Sequence, residues 1–499
     1  MASFTPSVTA NSRIFLIDGE ARVDHQPTFE SCIKAMGMSQ DFGDITKIEC
    51  PDPDRFGQFI EIGQVRGEIS RLTLDLVGRY PQDERSELGR LGQKRCSFDT
   101  HVIFGSCTNP SDSNSFQKRI ILKNSAITSY STDDLGALES GENATINETG
   151  SLSAREFYEV LPLGFAVRGG DIVNVEVLDV IVADIASCGD CEDESDGCQK
   201  IYAITTTGAL GSPTTTADIV YSLDNGATWV AFDIDTLGAS DVPSAIAWLG
   251  DNVVIIANDT DSLHYVDKDD LDGTTTPAFT EVTTGFVAAG SPTDISRGGS
   301  TLWMCGDGGY IYKTTDPTGG VTVVDAGVAT STDLNAIDAL SDNVVVAVGD
   351  AGAVVKSTNG ATFQVVTVPV AAVLNTVLVV SEDLWFVGTA GGDLYYTLNA
   401  GTTWTLKTFT GSGSGSILDI VQGVEGILFM SHQTSGTSGR LLQSFDGGYS
   451  WIVLPQDSST LPANDKLNAL AACSDDPNFV VGVGLADDGT DGFIIVGTD

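Results

Sequence analysis

SLDNGATW, at Ser222–Trp229, is the first of four near-identical phrases in the C-terminal half of the chain. The others are STNGATF at Ser357–Phe363, TLNAGTTW at Thr397–Trp404 and SFDGGYSW at Ser444–Trp451. A more degenerate copy, KTTDPTGGVTV, begins at Lys313. Each of the four joins two alternating apolar runs through a polar turn with glycine and then supplies an aromatic residue. Such self-similarity predicts a repeat architecture, and it favours a structural role for the phrase over a catalytic one.

The repeating unit contains four short predicted strands. Residues 334–369 show it most clearly, as LNAIDAL, NVVVAVGD, GAVVKST and FQVVTVP. Aligned turns fall at Asp224, Asp316, Thr358, Asn399 and Asp446. The first gap is 92 residues, or two units with an irregular one at 244–285, and the later gaps are 42, 41 and 47 residues. Four strands at this period predict the blades of a β-propeller. An immunoglobulin array would need about twice the period, and helical solenoids would need helices.

The number of blades follows from the length of the repeated region. Residues 201–499 hold six complete units and a last one with only three strands, LNALAACS, NFVVGVG and GFIIVGT. Because a propeller ring must close, we expect the missing strand to come from N-terminal sequence such as Val173–Ile185. Seven blades is therefore the prediction, with six as the alternative.

Composition restricts the partners and the compartment. The chain has 499 residues and a formal charge of −43, and residues 1–200 and 201–499 are both acidic. Such a surface repels nucleic acid and anionic membranes. The sequence has no apolar run long enough for a transmembrane helix and no recognisable signal peptide at its start. Nine cysteines, mostly scattered, indicate reduced thiols and synthesis in a cytosol.

The repeated phrase resembles the Asp-box, or bacterial-neuraminidase repeat, S-x-D-x-G-x-[TS]-W. The positions that match it in two copies are Ser222, Asp224, Gly226, Trp229, Ser444, Asp446, Gly448 and Trp451. A third copy matches with asparagine for aspartate, through Thr397, Asn399, Gly401 and Trp404. In the remaining copy the aspartate position, taken as Thr358, is lost. The expected role is a hairpin turn in which the carboxylate accepts backbone N–H bonds, glycine takes a positive φ and the aromatic packs between adjacent sheets.

The resemblance does not extend to sialidase activity, which in that family needs three arginines on the substrate carboxylate. Residues 201–499 contain only Arg297 and Arg440. The sequence also shows no Ser/His/Asp arrangement and no Gly-rich phosphate loop, so we expect no enzyme activity and no cofactor. The propeller also resembles photosystem-assembly-factor propellers, which carry similar degenerate repeats and act by binding proteins. Those proteins lack an N-terminal half of this kind, and their basic patches are missing here.

Residues 1–185 contain no repeat and predict a second all-β domain. Apolar runs typical of strands occur at Arg13–Ile17, Phe59–Val65, Leu72–Val77, Thr100–Phe104, Arg119–Leu122, Ala126–Tyr130, Gly150–Ala154, Tyr158–Phe165 and Val173–Val182. One helix is predicted at Glu84–Cys96, and Phe29–Met36 is a second, shorter helical candidate. Many strands with one helix favour an antiparallel sandwich or barrel.

This plan resembles the tail tube proteins of long-tailed bacteriophages. The matching features are a strand pair at Phe59–Tyr80, the helix after it and long loops. The resemblance implies self-association into rings, usually hexameric, that stack into tubes together with other tail proteins. It implies passing DNA as cargo, assembly in a host cytoplasm and a place in the virion. The propeller would then be an outward decoration with weak contact to a host surface. The expected domains are a tube-like domain at 1–185, an acidic hinge at 186–200 and a propeller at 201–499.

The hinge contains the cysteine cluster SCGDCEDESDGCQK, with Cys188, Cys191 and Cys198. Thiolates at this spacing can share a zinc ion, although no fourth ligand is nearby in sequence. A disulfide formed after release from the cell and three free thiols are the alternatives.

Two hypotheses of function follow. The first is a structural virion protein of a tailed phage or virus, with the propeller displayed outside. The alternative is a propeller-based binding or assembly factor without a viral role.

Overall fold

A computed structural model describes the strands between Arg13 and Ala183 and, from Lys200 onward, most of the chain. The described residues of this second part are 200–205, 218–224, 226–232, 234–237, 243–257, 261–271, 277–409, 411–423, 426–435, 438–445, 447–448, 451–454, 466–473, 479–485 and 492–498. The chain divides into a compact unit that ends at Val160 and a second that begins at Leu161.

The N-terminal unit consists of β-strands in its described part. Its strands are β1 (Arg13–Ile17), β2 (Thr28–Glu30), β3 (Ala35–Ser39), β4 (Ile45–Pro51), β5 (Phe59–Arg66), β6 (Leu72–Pro81), β7 (Phe98–Phe104), β8 (Lys118–Thr132), β9 (Thr145–Ala154) and β10 (Glu156–Val160). One sheet has the order β2-β1-β7-β8-β9-β6-β3, with β10 also paired to β8, and β4 and β5 form a separate pair. The prediction of an all-β chain is confirmed.

Three details of this unit differ from the sequence-based expectations. Phe29–Met36 is not a helix, because Phe29 lies in β2 opposite Phe15 and Met36 lies in β3 opposite Leu76. The strands within Phe59–Tyr80 both form but do not pair: β5 pairs with β4, whereas β6 pairs with β3 and β9. The two runs at Arg119–Leu122 and Ala126–Tyr130 belong to one long strand, β8, which is irregular near Ile127. The predicted helix at Glu84–Cys96 lies outside the described residues.

The second unit is a β-propeller of seven four-stranded blades. Blade 1 consists of β12 (Val177–Ala183), β13 (Lys200–Thr205), β14 (Ile219–Ser222) and β15 (Val230–Phe232). Blade 2 consists of β16 (Pro243–Leu249), β17 (Asn252–Ala257), β18 (Ser262–Asp267) and β19 (Thr280–Val282). Blade 3 consists of β20 (Pro292–Gly298), β21 (Thr301–Gly306), β22 (Tyr310–Thr314) and β23 (Thr322–Ala326). Blade 4 consists of β24 (Leu334–Ala339), β25 (Val345–Gly349), β26 (Val354–Ser357) and β27 (Gln364–Val365).

The remaining blades repeat this order. Blade 5 consists of β28 (Leu374–Val379), β29 (Trp385–Thr389), β30 (Leu394–Thr397) and β31 (Thr405–Lys407). Blade 6 consists of β32 (Ser416–Gln422), β33 (Leu428–Ser435), β34 (Ser438–Ser444) and β35 (Ile452–Val453). Blade 7 consists of β36 (Lys466–Ala472), β37 (Val480–Leu485) and β38 (Gly492–Thr498), joined by the early strand β11 (Gly164–Val167). The prediction of seven blades is confirmed.

Ring closure uses N-terminal sequence, but a different strand from the expected one. The fourth strand of blade 7 is β11, in which Phe165 pairs with Gly497 of β38. Val173–Ile185 instead supplies β12, the innermost strand of blade 1. The propeller therefore begins before the predicted boundary at 185/186, because both strands are needed to complete the first and last blades.

The core lies between neighbouring blades. In blades 3 to 5 the second strand is buried at every residue, because sheets pack against both of its faces. This explains why runs such as NVVVAVGD are continuously apolar. One cluster joins Val346 and Val348 of blade 4 to Val377 and Val387 of blade 5.

Cys473, after the first strand of blade 7, is disulfide-bonded. The expectation of reduced thiols is wrong for this residue. Spacing in sequence does not identify disulfide partners. In the part of the chain that the structure describes, no helix is long and apolar enough to cross a membrane.

Candidate functional site: the axial channel and the connecting face

The innermost strands of the seven blades share one irregularity. They are β12, β16, β20, β24, β28, β32 and β36, and the pairing of each with its second strand shifts at its second or third residue. Such a bulge leaves one residue out of the ladder and redirects its side chain. The residues left unpaired in the ladder are Leu178, Ser244, Thr293, Asn335, Asn375, Leu418 and Asn468.

Five of these bulge residues are polar, and each donates a hydrogen bond to the next blade. The acceptor is always the carbonyl oxygen at or beside the start of the next innermost strand. The bonds are Ser244 Oγ to Pro292 O (3.3 Å), Thr293 Oγ1 to Leu334 O (2.6 Å), Asn335 Nδ2 to Leu374 O (3.1 Å), Asn375 Nδ2 to Ile417 O (2.9 Å) and Asn468 Nδ2 to Val177 O (2.9 Å). The last of them joins blade 7 to blade 1.

The two junctions that follow a leucine bulge are bridged by an aspartate instead. Asp179 Oδ2 accepts a hydrogen bond from the backbone N–H of Ile246 in blade 2, at 2.9 Å. Asp419 Oδ2 accepts one from the N–H of Leu470 in blade 7, at 2.8 Å. With the five bonds above, each of the seven junctions in the described ring has a polar side chain bonded to the backbone of the next blade.

Two further aspartates reinforce the junction between blades 3 and 4 and the junction between blades 4 and 5. Asp294 Oδ2 accepts from the N–H of Ile337 at 2.8 Å. Asp338 Oδ2 accepts from the N–H of Val379 at 2.6 Å, and its Oδ1 atom accepts from Ser296 Oγ at 3.1 Å. All four aspartates line one axial channel, which has a volume of about 620 Å³.

These four carboxylates lie half-buried in the wall of the channel. Burial raises the pKa of Asp179 to about 7, and repulsion from Asp419 adds to the effect. Burial likewise raises the pKa of Asp419 to about 6 and that of Asp294 well above its usual range. The backbone N–H donors act in the opposite direction because they favour the charged form. Among the described residues no group of His, Cys, Asp or Glu side chains has a metal-holding arrangement. The aspartates therefore act here as hydrogen-bond acceptors between blades.

The repeated turn connects the third and fourth strands of its blade. In the first copy, Asp224 Oδ1 accepts from the N–H of Thr228 at 2.7 Å, and Oδ2 accepts from Thr228 Oγ1 at 2.6 Å. These bonds lower the pKa of Asp224. Gly226 has a φ of 76°, and its N–H donates to Ser222 Oγ at 2.8 Å. Trp229 packs in the cluster between blades 1 and 7, so the expected hairpin turn and aromatic packing are confirmed for this copy.

The copy at Ser357–Phe363 differs from its predicted alignment. Thr358 is not at the acceptor position; Asn359 is, because this copy is one residue shorter before its glycine. Asn359 Oδ1 accepts from the N–H groups of Ala361 and Thr362, each at 3.0 Å. Phe363 contacts Trp303 of blade 3 with ring centroids 6.0 Å apart. Asp446 of the last copy lies outside the described residues.

The other residues singled out from the sequence do not meet at one site. Arg297 lies at the end of β20, where its guanidinium stacks over Trp248, 4.8 Å from the ring centroid. Arg440 lies in blade 6, next to His432 in the ladder. Cys188, Cys191 and Cys198, for which zinc, disulfide and free thiols are the predicted alternatives, lie outside the described residues.

One end of the propeller carries the links between blades and the loops between second and third strands, and we call it the connecting face. We call the opposite end, which carries the repeated turns, the turn face. Three valines are exposed on the connecting face of blades 2 to 4: Val287 (38%), Val328 (86%) and Val373 (39%). Sequence reasoning did not identify this patch, because each valine lies in a different link between blades.

Comparisons with known proteins agree with the propeller fold. No protein-family model matches the sequence, and no curated protein matches it. Among solved structures, YCF48 bound to a D1 peptide has a TM-score of 0.50 and 15% identity, covering 68% of this chain and 96% of that chain. YCF48 from Cyanidioschyzon merolae has a TM-score of 0.48 and 14% identity, with 66% and 98% covered. The RRP9 WD40 repeats have a TM-score of 0.47 and 12% identity, with 67% and 99% covered. At these identities the likeness concerns the fold alone.

Proposed function

We propose that this chain is a propeller-based binding or assembly factor whose connecting face holds a segment of a partner protein. The observation that carries the proposal is the set of three exposed valines in the links on that face, of which Val328 is 86% exposed. Exposed apolar side chains grouped on one face mark interaction sites more often than isolated ones do. A similar propeller, YCF48, has been solved with a bound D1 peptide, which supports a peptide as the type of ligand.

The proposal assigns no catalytic step to the chain. The polar groups at the axis are engaged in bonds between blades, as Asp179 and Asp419 illustrate. The thiol of Cys305 is fully buried, and burial raises its pKa well above the usual range, which disfavours the reactive thiolate. Both observations support binding rather than chemistry.

Selection of peptides from a random displayed library tests the proposal. We expect sequences that bind the full chain to lose affinity when Val328→Asp places a charge in the patch. Leu398→Asp is the matched control, since Leu398 is 46% exposed but lies on the turn face. A library that yields no binder, or binders that both variants weaken equally, would refute the proposal.

The N-terminal unit supports a second candidate, a structural virion protein that assembles rings and tubes. The supporting observation is that the strands before Val160 form their own compact unit with a broad antiparallel sheet. In this candidate the chain is assembled in a host cytoplasm and the propeller is a decoration. Electron microscopy of the purified full chain tests it: tubes or hexameric rings are expected, and a monodisperse monomer at high concentration contradicts it.

A further inference from the structure

The basic residues of blades 2 to 4 all lie at one face of the propeller. Residues 243–373 contain four basic residues, Lys268, Arg297, Lys313 and Lys356. All four lie at the strand ends next to the turn face. Lys268 is paired with Asp251 at 2.9 Å, and Arg297 Nε donates to Gly299 O at 3.0 Å. Lys313 and Lys356 donate to carbonyl oxygens in the repeated turns of blades 4 and 5.

The connecting face of the same blades carries carboxylates without a basic residue. Asp261 and Asp307 lie in the loops between second and third strands, and Asp333 lies in the link between blades 3 and 4. Burial raises the pKa of Asp307, and repulsion from Asp333 and Asp261 adds to this. Asp307 is therefore close enough to interact with each of the other two carboxylates. Because no lysine or arginine of these blades reaches this face, their charge is not neutralised within them.

Apolar and aromatic side chains lie on the same face. Tyr310 stacks on Tyr312 with ring centroids 6.1 Å apart, and Phe286 lies 5.1 Å from Tyr312. Tyr312 is fixed by a hydrogen bond of 2.7 Å to Gly290 O. The exposed Val287 and Val328 occupy the links on either side of blade 3. Tyr312 is fully buried, so the half-buried rings of Tyr310 and Phe286 are the ones that can attract cations through the ring quadrupole.

We propose that the connecting face of blades 2 to 4 docks an extended cationic segment of a partner protein. Apolar side chains of that segment contact Val287, Val328 and Val373. Its lysines or arginines lie near Asp261, Asp307 and Asp333. This inference rests on the proposed function, since it names the chemistry of the partner at the same face. Charge complementarity selects the occupant: an acidic segment would be repelled by the three carboxylates and by the −43 charge of the chain.

Two synthetic peptides of about twelve residues test the partner class. They share the same valines and leucines, and one carries lysines and arginines where the other carries glutamates. Fluorescence anisotropy with the full chain is expected to show binding of the cationic peptide alone. Its affinity is expected to fall as salt rises from about 0.05 M to about 0.5 M, because screening shortens the range of exposed charges.

The triple variant Asp261→Asn, Asp307→Asn, Asp333→Asn tests where the cationic peptide binds. Asparagine tolerates the φ of 49° at residue 261, and at residue 333 it can still accept the N–H of Gly308. We expect this variant to weaken the cationic peptide by about tenfold or more. The matched control is Asp270→Asn, Glu382→Gln, Asp383→Asn, which removes three charges from the turn face. Thermal unfolding of both variants checks that the fold is retained.

The outcomes separate this inference from the proposed function. Equal weakening by both triple variants would mean non-specific attraction to an acidic protein and would overturn the inference. If library selection yields neutral or acidic segments that depend on Val328, the proposed function stands and the cationic partner class is wrong. If neither the library nor the cationic peptide binds, both fail.

Discussion

Asp294 and Ile337 lie on neighbouring blades, and Oδ2 of Asp294 accepts a hydrogen bond of 2.8 Å from the backbone N–H of Ile337. The other oxygen accepts from the N–H of Ile295 in its own strand, also at 2.8 Å. One carboxylate therefore fixes the register of two innermost strands. The same arrangement recurs at Asp179 and Asp419. These bonds tie neighbouring innermost strands together near the axis.

Removal of this link is expected to destabilise the propeller without unfolding it. Asp294→Ala leaves the N–H of Ile337 without its acceptor, which costs about 1–3 kcal/mol of unfolding free energy. The fold is retained because Thr293 bonds to Leu334 O across the same junction. Denaturant unfolding measures the loss. The exposed Asp270→Ala is the control and should change stability by less than about 0.5 kcal/mol. Equal effects of the two substitutions would show that the bond contributes nothing.

The channel carboxylates predict that the propeller becomes less stable as pH rises. The pKa is about 7 for Asp179 and about 6 for Asp419 in the folded chain, against an ordinary value of 3.8. Between these values the folded state binds more protons than the unfolded state, so the unfolding free energy falls with increasing pH. The penalty is absent below the unfolded pKa and complete above the folded one.

Unfolding measured between pH about 5 and about 8 tests this prediction, because most other carboxylates are already charged in that window. The double variant Asp179→Asn, Asp419→Asn removes both titrations. We expect its stability to change less with pH than that of the unmodified chain, whatever its stability at one pH. Parallel curves for the two proteins would contradict the assignment.

Local repetition predicted the blades but not the bonds that join them. The turns recur at a fixed period because each blade needs the same hairpin, so their spacing could be read from one chain. The inner strands carry a weaker sequence signal, because Asn335, Asn375 and Asn468 each follow a leucine near the start of an innermost strand. Their acceptors lie in the next blade, about 40 residues away or, for Asn468, at the other end of the unit. Only closure of the ring brings those atoms together.

Two glycines of the repeated turns are expected to differ in how much alanine substitution destabilises the propeller. A Cβ on Gly401 would lie 2.4 Å from Val366 Cγ1 of the preceding blade, and its φ is 83°. Gly401→Ala therefore combines a left-handed backbone penalty of about 1–2 kcal/mol with overpacking of about 1–3 kcal/mol. Gly319→Ala is the matched control, because nothing lies within 4 Å of its Cβ position. Thermal unfolding should separate the variants clearly, and similar midpoints would mean that the turn adapts without cost.

The closing strand predicts where the propeller can be cut. A chain that begins at Leu161 keeps β11 and is expected to form all seven blades. A chain that begins at Asp171 lacks β11, so β38 becomes an edge strand with unpaired N–H and C=O groups. We expect this shorter chain to be less stable in denaturant and more prone to associate, as measured by light scattering.

A chain that begins at residue 186 also lacks β12, which carries Asp179 and the carbonyl of Val177 that accepts a hydrogen bond from Asn468. It should not fold, because blade 1 loses its innermost strand and the ring cannot close. Equal stability of all three chains would place the start of the propeller after residue 185 and contradict the closure by β11.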